Sequence, residues 1–142
     1  MDIRQLTPRY FVAPQIDPTW MEDLKAQGIT RILCNRPDAE VPASQCAAAI
    51  EAAALAAGLE FADQPLTHQT MTQDVIARNC ALGADTDNVT LAYCASGTRS
   101  TIAWALGQAG RMRADDILAA ARQGGYDIEQ MRSFLEKAQP SS

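Results

Sequence analysis

A chain of 142 residues, 47% hydrophobic and 20% charged, is long enough to bury a core and fits a single domain. Its net charge of −5 comes without a Lys/Arg cluster, which argues against nucleic acid and an anionic membrane surface as partners, since both are held by basic side chains. No apolar run reaches the length of about 18 residues needed to span a bilayer, and the opening MDIRQLTPRYFV lacks the basic-then-apolar pattern of a secretion signal, so the expected location is the cytoplasm.

In chain order, RYFVAPQI (9–16) predicts a strand. Asp17 then caps a helix over PTWMEDLKAQG, with Pro18 at its first position and Gly28 as its stop. TRILCN (30–35) is a short apolar run suited to a buried strand. After the loop RPDAEVPA, Ser44 is expected to cap an Ala-rich helix over 45–57, which Gly58 stops. LEFAD (59–63) predicts another strand, and Thr72 caps QDVIARNCALGA. VTLAY (89–93) is a strand by composition, Ser100 is expected to open the helix TIAWALGQAG, and two further helices follow from RADDILAAARQGG and DIEQMRSFLEKA.

This alternation predicts an α/β domain over residues 1–138: a mostly parallel sheet flanked by helices in three layers, with 139–142 as a frayed tail. In such sheets ligands gather at the carboxyl ends of the strands. The loops 35–43, 64–71 and 94–99 should therefore meet, bringing Asn35, Arg36, Asp38, His68 and Cys94 together.

The stretch YCASGTRS (93–100) carries the chemistry. Between a strand and a helix, the amides of a tight turn converge as an anion-binding nest, and the helix adds its positive end. Gly97 permits the turn, and Arg99 offers a planar fork of donors to an oxyanion. Cys94 at the centre of that field is the expected nucleophile, in its thiolate form. Ala95, Ser96, Gly97 and Thr98 form the loop wall, and Ser100 either donates to the thiolate or caps the helix. Four cysteines (34, 46, 80, 94) with one histidine give no C-x-x-C pair and no zinc pattern, and no dinucleotide fingerprint is present, so no cofactor is expected. The cysteines at 34, 46 and 80 read as packing residues.

The loop resembles two families of cysteine enzymes. Protein-tyrosine and dual-specificity phosphatases place five residues between cysteine and arginine and a histidine before the cysteine. Rhodanese-type sulfurtransferases place four between, as here, but begin the loop with an arginine where this chain has Ala95. Over nearly its whole length the chain resembles the bacterial beta-lactamase-hydrolase-like family, on FVAPQI (11–16), ILCNRPDAE (32–40), YCASGTRS (93–100), AWAL (103–106) and GGYDI (124–128). That resemblance implies a dual-specificity-phosphatase-like fold. In some relatives the domain is joined to a metallo-beta-lactamase-like domain of the persulfide-dioxygenase kind, which these 142 residues do not include.

Two chemistries fit. A phosphatase needs an acid for the leaving oxygen, and DQPLTHQTM offers only Asp63, at a strand end, and His68, whose residue type titrates in a suitable range. Arg36 and Asp38 are candidates for supporting roles at the site mouth. Sulfur transfer needs no separate acid, only attack by the thiolate on a sulfane sulfur and release of the persulfide to an acceptor, here a small molecule or a protein. The loop length and the missing aspartate favour sulfur transfer. Phosphoester hydrolysis through a phosphocysteine is the alternative, and a non-catalytic anion or persulfide sensor is the third class.

Overall fold

The apolar runs become strands, and the strands lie side by side. A computed structural model describes residues 2–138, so the tail expected at 139–142 lies outside the described residues. Five strands form one sheet: β1 (Arg4–Thr7), β2 (Tyr10–Ala13), β3 (Arg31–Cys34), β4 (Glu60–Asp63) and β5 (Thr90–Tyr93), in the order β1-β2-β5-β3-β4. β1 is antiparallel to β2; every other pairing is parallel. The first three helices are α1 (Met21–Ala26), α2 (Ala47–Ala56) and α3 (Gln73–Gly83). After β5 come α4 (Thr98–Gln108), α5 (Ala114–Gln123) and α6 (Arg132–Ala138).

Side chains alternate across the strands, which builds two cores. Ile32, Cys34, Leu91 and Tyr93 pack with Leu24, Ile50 and Ala54 beneath α1 and α2. Val12, Leu33 and Ala92 face the other way, towards Trp104, Ile117, Leu118 and Leu135. The three-layer, mostly parallel architecture is as the alternation of elements implied. No helix among the described residues is long and apolar enough to cross a membrane.

Local signals mostly act as expected. Asp17 accepts the Thr19 amide at 2.9 Å, although the chain first makes a short 3-10 turn over Pro18–Trp20 before α1. Thr72 accepts the Val75 amide at the start of α3. Two expectations change. Ser44 does not cap α2; it lies in a 3-10 turn, Ala43–Gln45, and the Ala47 amide donates instead to Asp38 Oδ1 at 2.8 Å. Ser100 does not open α4, which starts two residues earlier because Gly97 is the N-cap. β1 was not anticipated: only Leu6 of its four residues is buried, so no apolar run marks it.

Candidate active site

The loop after β5 closes over the sulfur it carries. Cys94 extends β5 by one residue, its amide donating to Ala13 O at 3.3 Å, and it has no exposed surface. The Gly97 amide donates to Cys94 Sγ at 3.1 Å. Gly97 sits at φ 93°, in the left-handed region that favours glycine. A Cβ there would also collide with the Tyr126 hydroxyl and displace it. That hydroxyl donates to Ser96 O at 3.1 Å, tying the loop to the segment after α5. Ser96 Oγ accepts the Thr98 amide and donates to the Thr98 hydroxyl, so both polar loop side chains are used within the loop. Ala95 is exposed. Among the described residues no hydrogen bond engages the amides of Ala95, Ser96, Arg99 or Ser100.

Arg99 leaves the first turn of α4 and is gripped by two other loops. Its Nη1 donates to Glu40 Oε2 at 3.0 Å and to Leu66 O at 2.7 Å, and its Nη2 donates to Glu40 Oε1 at 2.6 Å. These bonds take the end of the guanidinium. The side formed by Nε and the second Nη2 hydrogen has no partner among the described residues and is a second two-donor fork. The hydrogen bonds to Arg99 hold the Glu40 carboxyl below its usual range, and Glu40 in turn holds the guanidinium above its own.

The three predicted loops do meet, but not all their residues serve the same place. His68 lines an open cleft of about 400 Å³ with Glu40, Thr67, Gln69 and Arg99. Arg36 is not a free cation at the mouth: Nε and Nη2 bond Glu40, and Nη1 donates to Gln15 at 3.2 Å. Asp38 is occupied by the α2 amide. Asp63 lies beside Cys34, and burial, with the nearby Asp38 and Glu51 charges, raises its pKa. By strand alternation Cys34 and Cys94 side chains leave opposite faces of the sheet, so neither Asp63 nor Cys34 faces the Cys94 sulfur. Burial pushes the Cys34 thiol up to about 11.

Sequence reasoning missed Glu40 and Tyr126. Glu40 had one visible signal: it is an acid on a loop expected to meet Arg99, which needs a counter-charge. Tyr126 had only its place in the GGYDI stretch, which says nothing of a contact made 30 residues from it with Ser96. Ser100, buried in the first turn of α4, accepts from Asn35 Nδ2 at 3.0 Å. A larger groove, about 620 Å³, is lined mainly by Met71, Ile76, Leu106, Ala109 and Phe134 and has no nucleophile or charge. Among the described residues no group of three or more His, Cys, Asp or Glu is placed to hold a metal ion.

Known proteins share the sequence pattern and the fold. The model of the beta-lactamase hydrolase-like protein, phosphatase-like domain, matches residues 2–111. A beta-lactamase hydrolase-like protein of Xylella fastidiosa is 30% identical over 140 residues, covering 96% of this chain but 32% of that protein, so the chain spans about a third of its length. A candidate phosphatase from Neisseria meningitidis, solved at 1.41 Å, is 30% identical and superposes with a TM-score of 0.83 over 98% of this chain and 99% of its own. The core catalytic domain of a PP-IP phosphatase from S. cerevisiae shares the fold at 10% identity, with a TM-score of 0.67 over 96% of this chain and 84% of its own. The fold is thus of the phosphatase type, and nothing in these likenesses favours sulfur transfer.

Proposed function

The chain belongs to the beta-lactamase hydrolase-like family, in its phosphatase-like domain, and on that footing we propose that it is a cysteine-dependent phosphatase acting on small phosphate monoesters. One observation carries the reading: the loop that carries Cys94 holds four amides and one side of the Arg99 guanidinium with no hydrogen-bond partner among the described residues. Donors held ready where charge will sit are the main way such sites lower a barrier.

In this reading the Cys94 thiolate attacks phosphorus. The P–S bond forms, the bond to the leaving oxygen breaks, and that oxygen takes a proton from His68 at the mouth. Water then attacks phosphorus and gives a proton to His68, while the P–S bond breaks and its electron pair returns to sulfur. The amides and Arg99 hold the three other oxygens throughout. The Ser100 hydroxyl donates a hydrogen bond to the returning thiolate.

Sulfur transfer remains a second reading because of the Gly97 amide, which in this four-residue loop donates directly to the sulfur. In that reading Cys94 would carry a persulfide from a small anionic donor to a small or protein acceptor.

Turnover of p-nitrophenyl phosphate decides between them. The phosphatase reading expects catalytic phosphate release that Cys94→Ser abolishes. No release, with a cyanide-removable sulfur on Cys94 after thiosulfate, would establish sulfur transfer instead. Phosphate binding without either activity would leave an anion sensor.

A further inference from the structure

Four buried polar side chains run in a line from the His68 loop to α4: Gln64, Asn79, Asn35 and Ser100, exposed by 7%, 1%, 0% and 0%. Gln64 Nε2 donates to Val75 O at 3.1 Å. Asn79 Nδ2 donates to Gln64 Oε1 and to Asn35 Oδ1, both at 2.8 Å. Asn35 Nδ2 donates to Ser100 Oγ at 3.0 Å.

The direction of every bond follows from one end. A backbone carbonyl only accepts, so Gln64 must turn its NH₂ to Val75 and its oxygen to Asn79. Asn79 must then present NH₂, and its second hydrogen obliges Asn35 to present oxygen. Asn35 is left with NH₂ for Ser100, whose hydroxyl can only accept there. The Ser100 proton therefore points elsewhere, and no described residue takes it. The group that becomes anionic near the first turn of α4 is the Cys94 sulfur.

We propose that Gln64, Asn79 and Asn35 are positioning residues that polarise Ser100, so that its O–H serves the Cys94 sulfur as the phosphocysteine breaks down. The inference rests on the phosphatase reading. Ser100 gives a hydrogen bond, not a proton: water's oxygen bonds phosphorus, the P–S pair goes to sulfur, and water's proton goes to His68.

An isosteric acid tests the polarity. In Asn35→Asp, carboxylate oxygens face both Asn79 and Ser100, so Ser100 must donate to residue 35 and its proton is lost to the sulfur. Rapid-quench kinetics with p-nitrophenyl phosphate, read by p-nitrophenol burst and intact mass, should show phosphocysteine accumulating because its breakdown slows about tenfold to a hundredfold. Ser100→Ala should do the same, and adding Asn35→Asp to it should slow breakdown no further. Equal slowing in the Ser100→Ala background, or wild-type breakdown in Asn35→Asp, overturns the proposal. Asn79→Leu, which removes the donor that fixes the Asn35 amide and so frees Asn35 to turn its oxygen to Ser100, should slow breakdown in the same direction and is read if Asn35→Asp does not fold. A wild-type protein that forms no phosphocysteine fails the phosphatase reading itself, and the inference with it.

Discussion

Glu40 meets Arg99 through both carboxylate oxygens, at 2.6 and 3.0 Å, across 59 residues of sequence. Arg36 also holds Glu40, donating to the same carboxylate oxygen Oε1 and to the backbone carbonyl. A long arginine side chain is thereby fixed with one donor edge occupied and one left over. Replacing Glu40 by Gln keeps one acceptor and loses the charge. We expect kcat/KM for p-nitrophenyl phosphate to fall about tenfold, which is about 1.4 kcal/mol of transition-state stabilisation. Steady-state kinetics check it, and an unchanged kcat/KM would remove Glu40 from the site.

The same pair has a pH signature. Arg99 lowers the Glu40 pKa in the folded state, so the pair's contribution is full above the ordinary glutamate value and is lost as pH falls through the lowered one. Urea unfolding between about pH 5 and pH 3 should show a smaller loss of stability for Glu40→Gln than for the wild type. Parallel curves would mean that the pair contributes nothing to folding.

Arg99→Lys keeps the charge but not the two-edged fork. Lysine cannot bond Glu40 and a phosphate through parallel pairs at once. A loss of about a hundredfold or more in kcat/KM is expected, with the fold intact by circular dichroism. A lysine variant within a few-fold of wild type would show that charge alone suffices.

Gly97→Ala faces two obstacles, the positive φ and the Tyr126 hydroxyl on which the new Cβ would fall. Thermal unfolding should show a loss of about 1–3 kcal/mol, and activity should disappear with the loop geometry. Adding Tyr126→Ala removes the clash but not the strain. It should recover part of the stability and none of the activity. Full recovery of both would mean that the loop tolerates another shape.

Asp38 separates structure from chemistry. Its carboxylate caps α2 at 2.8 Å, so Asp38→Ala should cost about 1 kcal/mol, or about 3–5 °C in Tm, with KM unchanged. A change in KM without a change in Tm would return Asp38 to the site.

What the sequence displays is whatever depends on neighbours in the chain. β3 and β5 are apolar runs between turn residues, and Thr72 caps a helix three residues on, so both could be read directly. The Cys94 loop was equally visible because Cys94, Gly97 and Arg99 act on one another within six residues. Partners chosen by folding were not visible. Asp38 reaches nine residues to displace Ser44 as the α2 cap. Arg36, read as a cation for the site, is consumed by Glu40 and Gln15. Asn79 looked like an ordinary helical residue, and its two buried bonds join segments 44 and 15 residues away. β1 failed for a simpler reason: an edge strand with a single buried residue needs no apolar pattern.

The complete burial of Cys94 has a chemical consequence beyond turnover. Peroxides oxidise thiolates they can reach, and sulfenic acid is the first rung of a ladder that ends in irreversible loss. A sulfur with no exposed surface is sheltered, so oxidative damage to this protein should track motion of the loop around Cys94 rather than the concentration of oxidant alone.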